Sequence, residues 1–215
     1  MTNVFDKDCR QCPRLATFLD TVAEKNPAYY CRPVPPFGDQ KARLLIVGLA
    51  PGMHGANRTG RPFTGDHAGV LLYETLHKYG FASHPESLAA DDPLKLLDCR
   101  ITNAVKCLPP DNKPIGAEVN TCNVFLANEL DTLPVDSVVL ALGGIAHRAI
   151  VKAVGYRQAD YKFGHAAEHL VDDRFRILDS YHCSRYNTNT RRLTTKMFHG
   201  VFARARELLP QARDA

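Results

Sequence analysis

Four short apolar runs constrain this chain more than any other feature. They occupy residues 43–49 (Arg-Leu-Leu-Ile-Val-Gly-Leu), 99–105 (Cys-Arg-Ile-Thr-Asn-Ala-Val), 137–142 (Ser-Val-Val-Leu-Ala-Leu) and 174–181 (Arg-Phe-Arg-Ile-Leu-Asp-Ser-Tyr). Each is strand-sized, as expected of strands covered on both faces. Between them, apolar residues recur at helical spacing. Residues 68–79 carry Leu72, Leu76 and Tyr79 and stop at Gly80. Residues 117–133 carry Val119, Cys122, Phe125, Leu126 and Leu130 and stop at Pro134. Residues 145–154 stop at Gly155, and residues 193–209 stop at Pro210. Glycine just past a helix, or proline beyond it, is a stop signal. Strands alternating with helices imply a parallel sheet. The expected fold is α/β, a three-layer α/β/α arrangement with a central, mostly parallel four-stranded sheet. The 215 residues suit one domain, 1–215, with a segment 1–42 ahead of the first strand.

Three connections are polar and leave the carboxyl ends of strands, where open α/β sheets place ligands. Residues 50–67 hold four glycines and two prolines (Pro51, Gly52, Gly55, Gly60, Pro62 and Gly65). A connection that long inside a domain is usually functional or disordered. The second begins at Cys107-Leu-Pro-Pro, and the third runs from Ser180 to Arg192. Loops leaving one edge of one sheet converge on one site.

Seven cysteines stand at 9, 12, 31, 99, 107, 122 and 183. The first residues show no basic segment followed by an apolar one, so no leader peptide is read and a cytoplasmic setting with reduced thiols is expected. An odd count there argues against a disulfide framework and leaves metal binding open. Cys9 and Cys12 form Cys-x2-Cys, followed at once by Pro13. Cys107 sits just past a strand and Cys122 early in the next helix, with fourteen residues between them. Four thiolates suit tetrahedral zinc or a [4Fe–4S] cluster. Zinc sites usually pair two short knuckles, so the wide second pair tilts the reading to iron–sulfur. Cys31, Cys99 and Cys183 read instead as small buried apolar residues. The net charge of +4 permits an anionic partner without demonstrating one. No run approaches the ~20 apolar residues that span a bilayer, so no membrane partner is expected.

Gly48-Leu-Ala-Pro-Gly52 lacks the Gly-Lys-Ser/Thr of a nucleotide P-loop. The longer string from Gly48 to Asp66, through Asn57-Arg-Thr-Gly-Arg-Pro-Phe63-Thr-Gly-Asp66, resembles the first motif of the uracil-DNA glycosylase superfamily. Thr102-Asn103-Ala-Val-Lys-Cys107-Leu-Pro-Pro resembles its middle segment, and Ser180-Tyr-His182 through Arg192-Leu-Thr194 its second motif. Cys9-x2-Cys12-Pro-Arg-Leu is similar to the cluster segment of its iron–sulfur branches. Leu49 stands where the thermophile-type family four has glutamate, and Asp66 follows Thr64-Gly65; both features resemble family five, the type-b enzymes. Two positions depart from the pattern. Cys183 replaces the usual proline of His-Pro-Ser, and the family commonly has glycine near Arg191.

The resemblance implies a monofunctional DNA glycosylase that hydrolyses the N-glycosidic bond of uracil in DNA, for base excision repair. Hypoxanthine and ethenocytosine are further implied substrates. A flipped base needs a stacking face, an edge reader and stabilisation of charge. Gly48, Leu49, Ala50 and Gly52 would line the base pocket, with Phe63 stacking. Asn103, both donor and acceptor, would read the pyrimidine edge and assist catalysis. His182 would donate to the oxyanion of the departing base. Asp66 would stabilise the cationic sugar or orient water; the plainer reading makes it a helix N-cap. Ser184, Arg185, Tyr186, Arg191 and Arg192 would contact DNA, with Lys196 as a weaker phosphate contact. Cys9, Cys12, Cys107 and Cys122 would hold the cluster, zinc being the less favoured occupant. The partner is DNA containing uracil or other deaminated bases, the protein a nucleoid-associated monomer. The rival reading is a non-catalytic damaged-DNA-binding protein of the same fold. A zinc-stapled nucleotide-binding module would leave the middle and second motifs unexplained.

Overall fold

In a computed structural model that describes residues 5–209, the four apolar runs are the four parallel strands of one sheet. Residues 1–4, which begin the segment read for a leader, and Pro210 lie outside the described residues. The strands are β1 (Phe37–Gly38), β2 (Leu44–Gly48), β3 (Cys99–Asn103), β4 (Ser137–Leu142), β5 (Glu168–Val171) and β6 (Phe175–Ser180). The helices are α1 (Pro13–Lys25), α2 (Ala56–Thr59), α3 (His67–Lys78), α4 (Gly116–Asp131), α5 (Gly144–Ala153), α6 (Arg185–Asn189) and α7 (Thr195–Leu208). Sheet order is β1-β3-β2-β4-β6-β5, with β1 and β5 antiparallel at the two edges.

The sheet therefore has six strands rather than the expected four. The two additions carry no apolar run: β1 is two residues long, and β5 leaves Glu168 and Leu170 exposed. Helix α1 is a further element beyond the expected ones, although Pro13 at its first turn and buried Leu15, Leu19 and Val22 are helix signals. The long connection 50–67 is not wholly irregular, because α2 interrupts it. The last helix starts at Thr195, capped by the Thr194 side chain, not at Leu193.

Alternate residues of the parallel strands face opposite layers. Leu44, Ile46, Leu140 and Leu178 pack with Leu72 of α3 and with Phe198 and Phe202 of α7. Leu45, Val47, Val139 and Ile177 pack with Leu126 and Leu130 of α4 and Ala149 and Ile150 of α5. Leu19 and Val22 of α1 meet Leu108 in a smaller cluster, which seats the N-terminal segment beside the β3–α4 connection. From β2 the chain passes to β3 on one side and β4 on the other. That reversal opens a crevice at the carboxyl end of β2. Among the described residues no helix is long and apolar enough to cross a membrane.

Candidate active site

The carboxyl ends of β2, β3, β4 and β6 open into one cleft of about 1190 Å3. Leu49, Ala50, Gly52, Phe63, Asp66, Asn103, His182, Ser184, Arg185 and Arg192 line it. The three motifs, far apart in sequence, thus meet.

Gly48 closes β2 beside Asn103 of β3. A methyl group on Gly48 would lie 2.4 Å from Asn103 Oδ1 and 2.7 Å from the Phe63 ring, so only glycine lets these two side chains approach. Asn103 Oδ1 is enclosed and has no hydrogen-bonding partner among the described residues. An orphaned buried acceptor is costly, and a ligand N–H entering the cleft would satisfy it. Phe63 has a left-handed backbone (φ 55°) and stacks on His182 at 5.9 Å between ring centroids. Its loop is held rigidly. The Tyr73 hydroxyl donates to Pro62 O at 2.8 Å, Thr64 and Ser87 hydroxyls meet at 2.7 Å, and Arg61 pairs with Asp92 at 2.5 Å beneath the loop.

His182 follows β6. Burial holds its imidazole down at about 4, so it is neutral near pH 7. Its Nδ1 is enclosed without a partner among the described residues, while the side chain also borders the cleft. A neutral imidazole can donate to a developing oxyanion without first taking up a proton.

Asp66 borders the cleft from the start of α3. It is the N-cap of α3, with Oδ1 accepting from Gly69 N at 2.9 Å. Its Oδ2 faces the Gly52–Gly55 turn, 2.4 Å from where a Gly55 Cβ would stand. Burial pushes the carboxyl up, against the lowering effect of the Gly69 and Ala68 amides and of His67.

The second motif becomes α6, capped by the Ser184 side chain. Tyr186 is 72 % exposed, the exposed Arg185 borders the cleft, and Arg192 stacks over Tyr181 at 4.7 Å. Arg191 lies just past the helix end with φ 57°. That left-handed position is where glycine is usual, which explains the expected glycine there. Arg191→Gly is expected to stabilise the fold by about 1 kcal/mol, read as a raised denaturant midpoint. An unchanged midpoint would show that the strain is absorbed elsewhere.

Cys9, Cys12, Cys107 and Cys122 all line one small cavity between α1 and α4, away from the cleft. Lys106 N donates to Cys122 Sγ at 3.3 Å. Burial first, and then the neighbouring thiols, push Cys107 up to about 12. Cys99 and Cys183 are fully buried, as expected. Cys31, by contrast, is only partly buried; its backbone is left-handed (φ 45°) and its Sγ lies 3.5 Å from Asn57 Nδ2.

Residues that sequence reading did not single out also line the cleft: Gly143 and Gly144 at the start of α5, Phe163, and Tyr181. The glycine pair directly after a strand was the available signal. Phe163 had none, because its connection carries no motif.

Comparison with known proteins agrees with the motifs. The family model described as uracil DNA glycosylase superfamily matches residues 35–206. The type-5 uracil-DNA glycosylase of Thermus thermophilus is 46% identical over 205 residues, covering 93% of each chain. That of Pyrobaculum aerophilum is 42% identical over 202 residues, covering 92% of this chain and 88% of its own. A type-4 uracil-DNA glycosylase of the same archaeon is 33% identical over 152 residues, covering 70% of this chain and 63% of its own.

Proposed function

Because the chain belongs to the uracil-DNA glycosylase superfamily, in its type-5 branch, we propose that the cleft takes a uracil flipped out of DNA and hydrolyses its N-glycosidic bond. The observation that carries this reading is the convergence of Asn103, Phe63, His182 and Asp66 on one cleft. Phe63 supplies the stacking face, and the unpartnered Oδ1 of Asn103 accepts the imide N–H of the base once the amide turns toward it. The bond from C1′ to N1 breaks with its electron pair leaving on the ring. His182 donates to the ring oxygen that gains charge. Asp66 stabilises the cationic sugar and orients the water that adds at C1′. The proton that water gives up is available to the departing base. No lysine nucleophile is invoked, so the strand stays intact at the abasic site.

Leu49 and Ala50 bring no carboxylate to the base at the start of the first motif, and this favours tolerance of other deaminated or damaged bases such as hypoxanthine and ethenocytosine. Ser184, Arg185, Tyr186, Arg191 and Arg192 form the DNA-facing edge, where cations fix position more than sequence.

The four gathered cysteines fit an iron–sulfur cluster. The wide spacing of the second pair, Cys107 and Cys122, favours a cluster over zinc. The amide of Lys106, donating to Cys122 Sγ, is the kind of hydrogen bond that cluster sulfurs receive. When bound, a [4Fe–4S] group would tie the N-terminal segment to the β3–α4 connection. Its place is structural, since the cleft lies elsewhere.

The test is base release from uracil-containing oligonucleotides, followed by alkaline cleavage of abasic sites. Release in a single turnover is expected; binding without release marks the non-catalytic relative instead. The same preparation is expected to be brown, with visible thiolate-to-iron absorption. A colourless protein carrying one zinc per chain would overturn the cluster reading.

A further inference from the structure

Behind the wall that carries His182 lies a buried polar group outside the cleft. His147 of α5 is fully buried, with Nδ1 2.8 Å from Asp179 Oδ1 and Nε2 2.8 Å from Tyr161 O. Asp179 of β6 is completely buried, and its Oδ2 also accepts from Gly164 N at 3.3 Å. His169 of β5 places Nε2 3.6 Å from that same oxygen.

Proton counting makes this arrangement informative. A backbone carbonyl only accepts, so Nε2 of His147 carries a proton. The short contact between Nδ1 and Oδ1 needs a second one, held on either atom. A neutral imidazole beside an ionised carboxylate is one proton short. Three segments depend on that proton: α5, the connection around Tyr161 and Gly164, and the last residues of β6. His182 is three residues beyond Asp179. The intervening chain is fixed by the same elements: Gly143 N donates to Ser180 O at 2.8 Å, and Tyr181 N donates to His165 Nδ1 at 3.2 Å.

We propose that His147 and Asp179 share a buried proton at working pH, and that this proton-bridged pair is the positioning clamp that sets His182 against the base. His147 and Asp179 are positioning residues, since neither lines the cleft. The inference rests on the role of His182 proposed above.

The charged and titratable groups around His147 are few. Asp179 faces it from β6, His169 from β5 at 5.4 Å between ring centroids, Tyr161 from the connection, and Arg148 lies beside it on α5. Burial favours the neutral ring, but the bonds to Asp179 and Tyr161 and the Asp179 charge outweigh it and hold the imidazole above its ordinary value. The direction of the pH effect follows. The clamp is complete below the ordinary imidazole range and is lost as pH rises through the raised value.

Asp179→Asn is the discriminating variant. Its amide oxygen takes the place of Oδ2, and its amide N–H donates permanently to Nδ1. Wild type is expected to lose kcat on the alkaline side with KM held. Asp179→Asn is expected to keep most of the rate and to lose that alkaline limb. His147→Leu is expected to lower kcat by roughly 10- to 100-fold, with KM within about threefold. Nitrogen NMR of the His147 ring should show a transition above the usual imidazole range, absent in Asp179→Asn. If His147→Leu does not fold, the Asp179→Asn profile and the NMR titration decide alone. A His147 ring whose nitrogens show no such transition in wild type, or an alkaline limb kept by Asp179→Asn, overturns the clamp. So does zinc binding beyond the cluster site that Asp179→Asn abolishes, because a metal would then occupy the proton's place. If wild type releases no base, the glycosylase reading fails, while the NMR titration still tests the shared proton.

Discussion

Asp66→Asn is expected to slow base release by about 10²- to 10⁴-fold while leaving the fold and DNA affinity in place. The substitution separates two roles that one side chain holds. Asparagine is as good an N-cap as aspartate, so its oxygen keeps the bond from Gly69 N. What it loses is the negative charge at Oδ2, the oxygen beside the Gly52–Gly55 turn. Asp66→Ala would lose both, and about 1 kcal/mol of cap with it. The pH dependence gives a second reading. Burial raises this carboxyl, and the chemistry needs it ionised. The wild-type rate therefore climbs as pH rises through the raised value, and Asp66→Asn lacks that acid limb. A folded-state value above the unfolded one also means that ionised Asp66 costs stability near neutral pH. The asparagine variant should melt no lower than wild type. Single-turnover kinetics across pH, beside a thermal melt, check all of this. A variant with the wild-type rate reduces Asp66 to a cap.

The parts of this fold that were legible in sequence share one property: their signals are local. Residues 137–142 form a strand over the same bounds, because apolar residues run unbroken from Val138 to Leu142 and a glycine pair follows. The cleft residues were legible because each motif sits at the end of a strand, where topology alone brings loops together. Edge strands gave no such signal. β5 is solvent-facing on one side, and its pairing with β6 depends on where the neighbouring strand falls. The group of His147, His169 and Asp179 was illegible for a stronger reason. Its members come from three elements, each looks like an ordinary residue in its own segment, and only parallel pairing of β4 with β6 and the return of β5 bring them together. Asp66 shows the reverse limit. Its cap role was local and readable, but the burial that sets its ionisation comes from a turn folded over it.

Gly48→Ala should be nearly as damaging as losing the carboxylate, with a rate at least roughly 100-fold lower. The added methyl would stand 2.4 Å from Asn103 Oδ1 and 2.7 and 2.8 Å from two Phe63 ring atoms. Relief has to come from the side chains, because both backbones are held. That of Asn103 is paired opposite Gly48 itself, with Ala104 N bonded to Gly48 O at 2.9 Å. That of Phe63 packs so close to Gly69 that a methyl there would sit 1.8 Å from the Phe63 carbonyl oxygen. Overpacking of this kind costs about 1–3 kcal/mol of stability, which leaves a folded protein whose edge reader and stacking ring are both displaced. The loss should fall on kcat and on base discrimination together, because the same two side chains define the slot. Gly116→Ala is the matched control: a methyl there meets nothing within 4 Å at the start of α4, and the rate should not change. Full activity in folded Gly48→Ala would mean that Asn103 and Phe63 do not grip the base, and the assignment of the cleft floor would have to be abandoned.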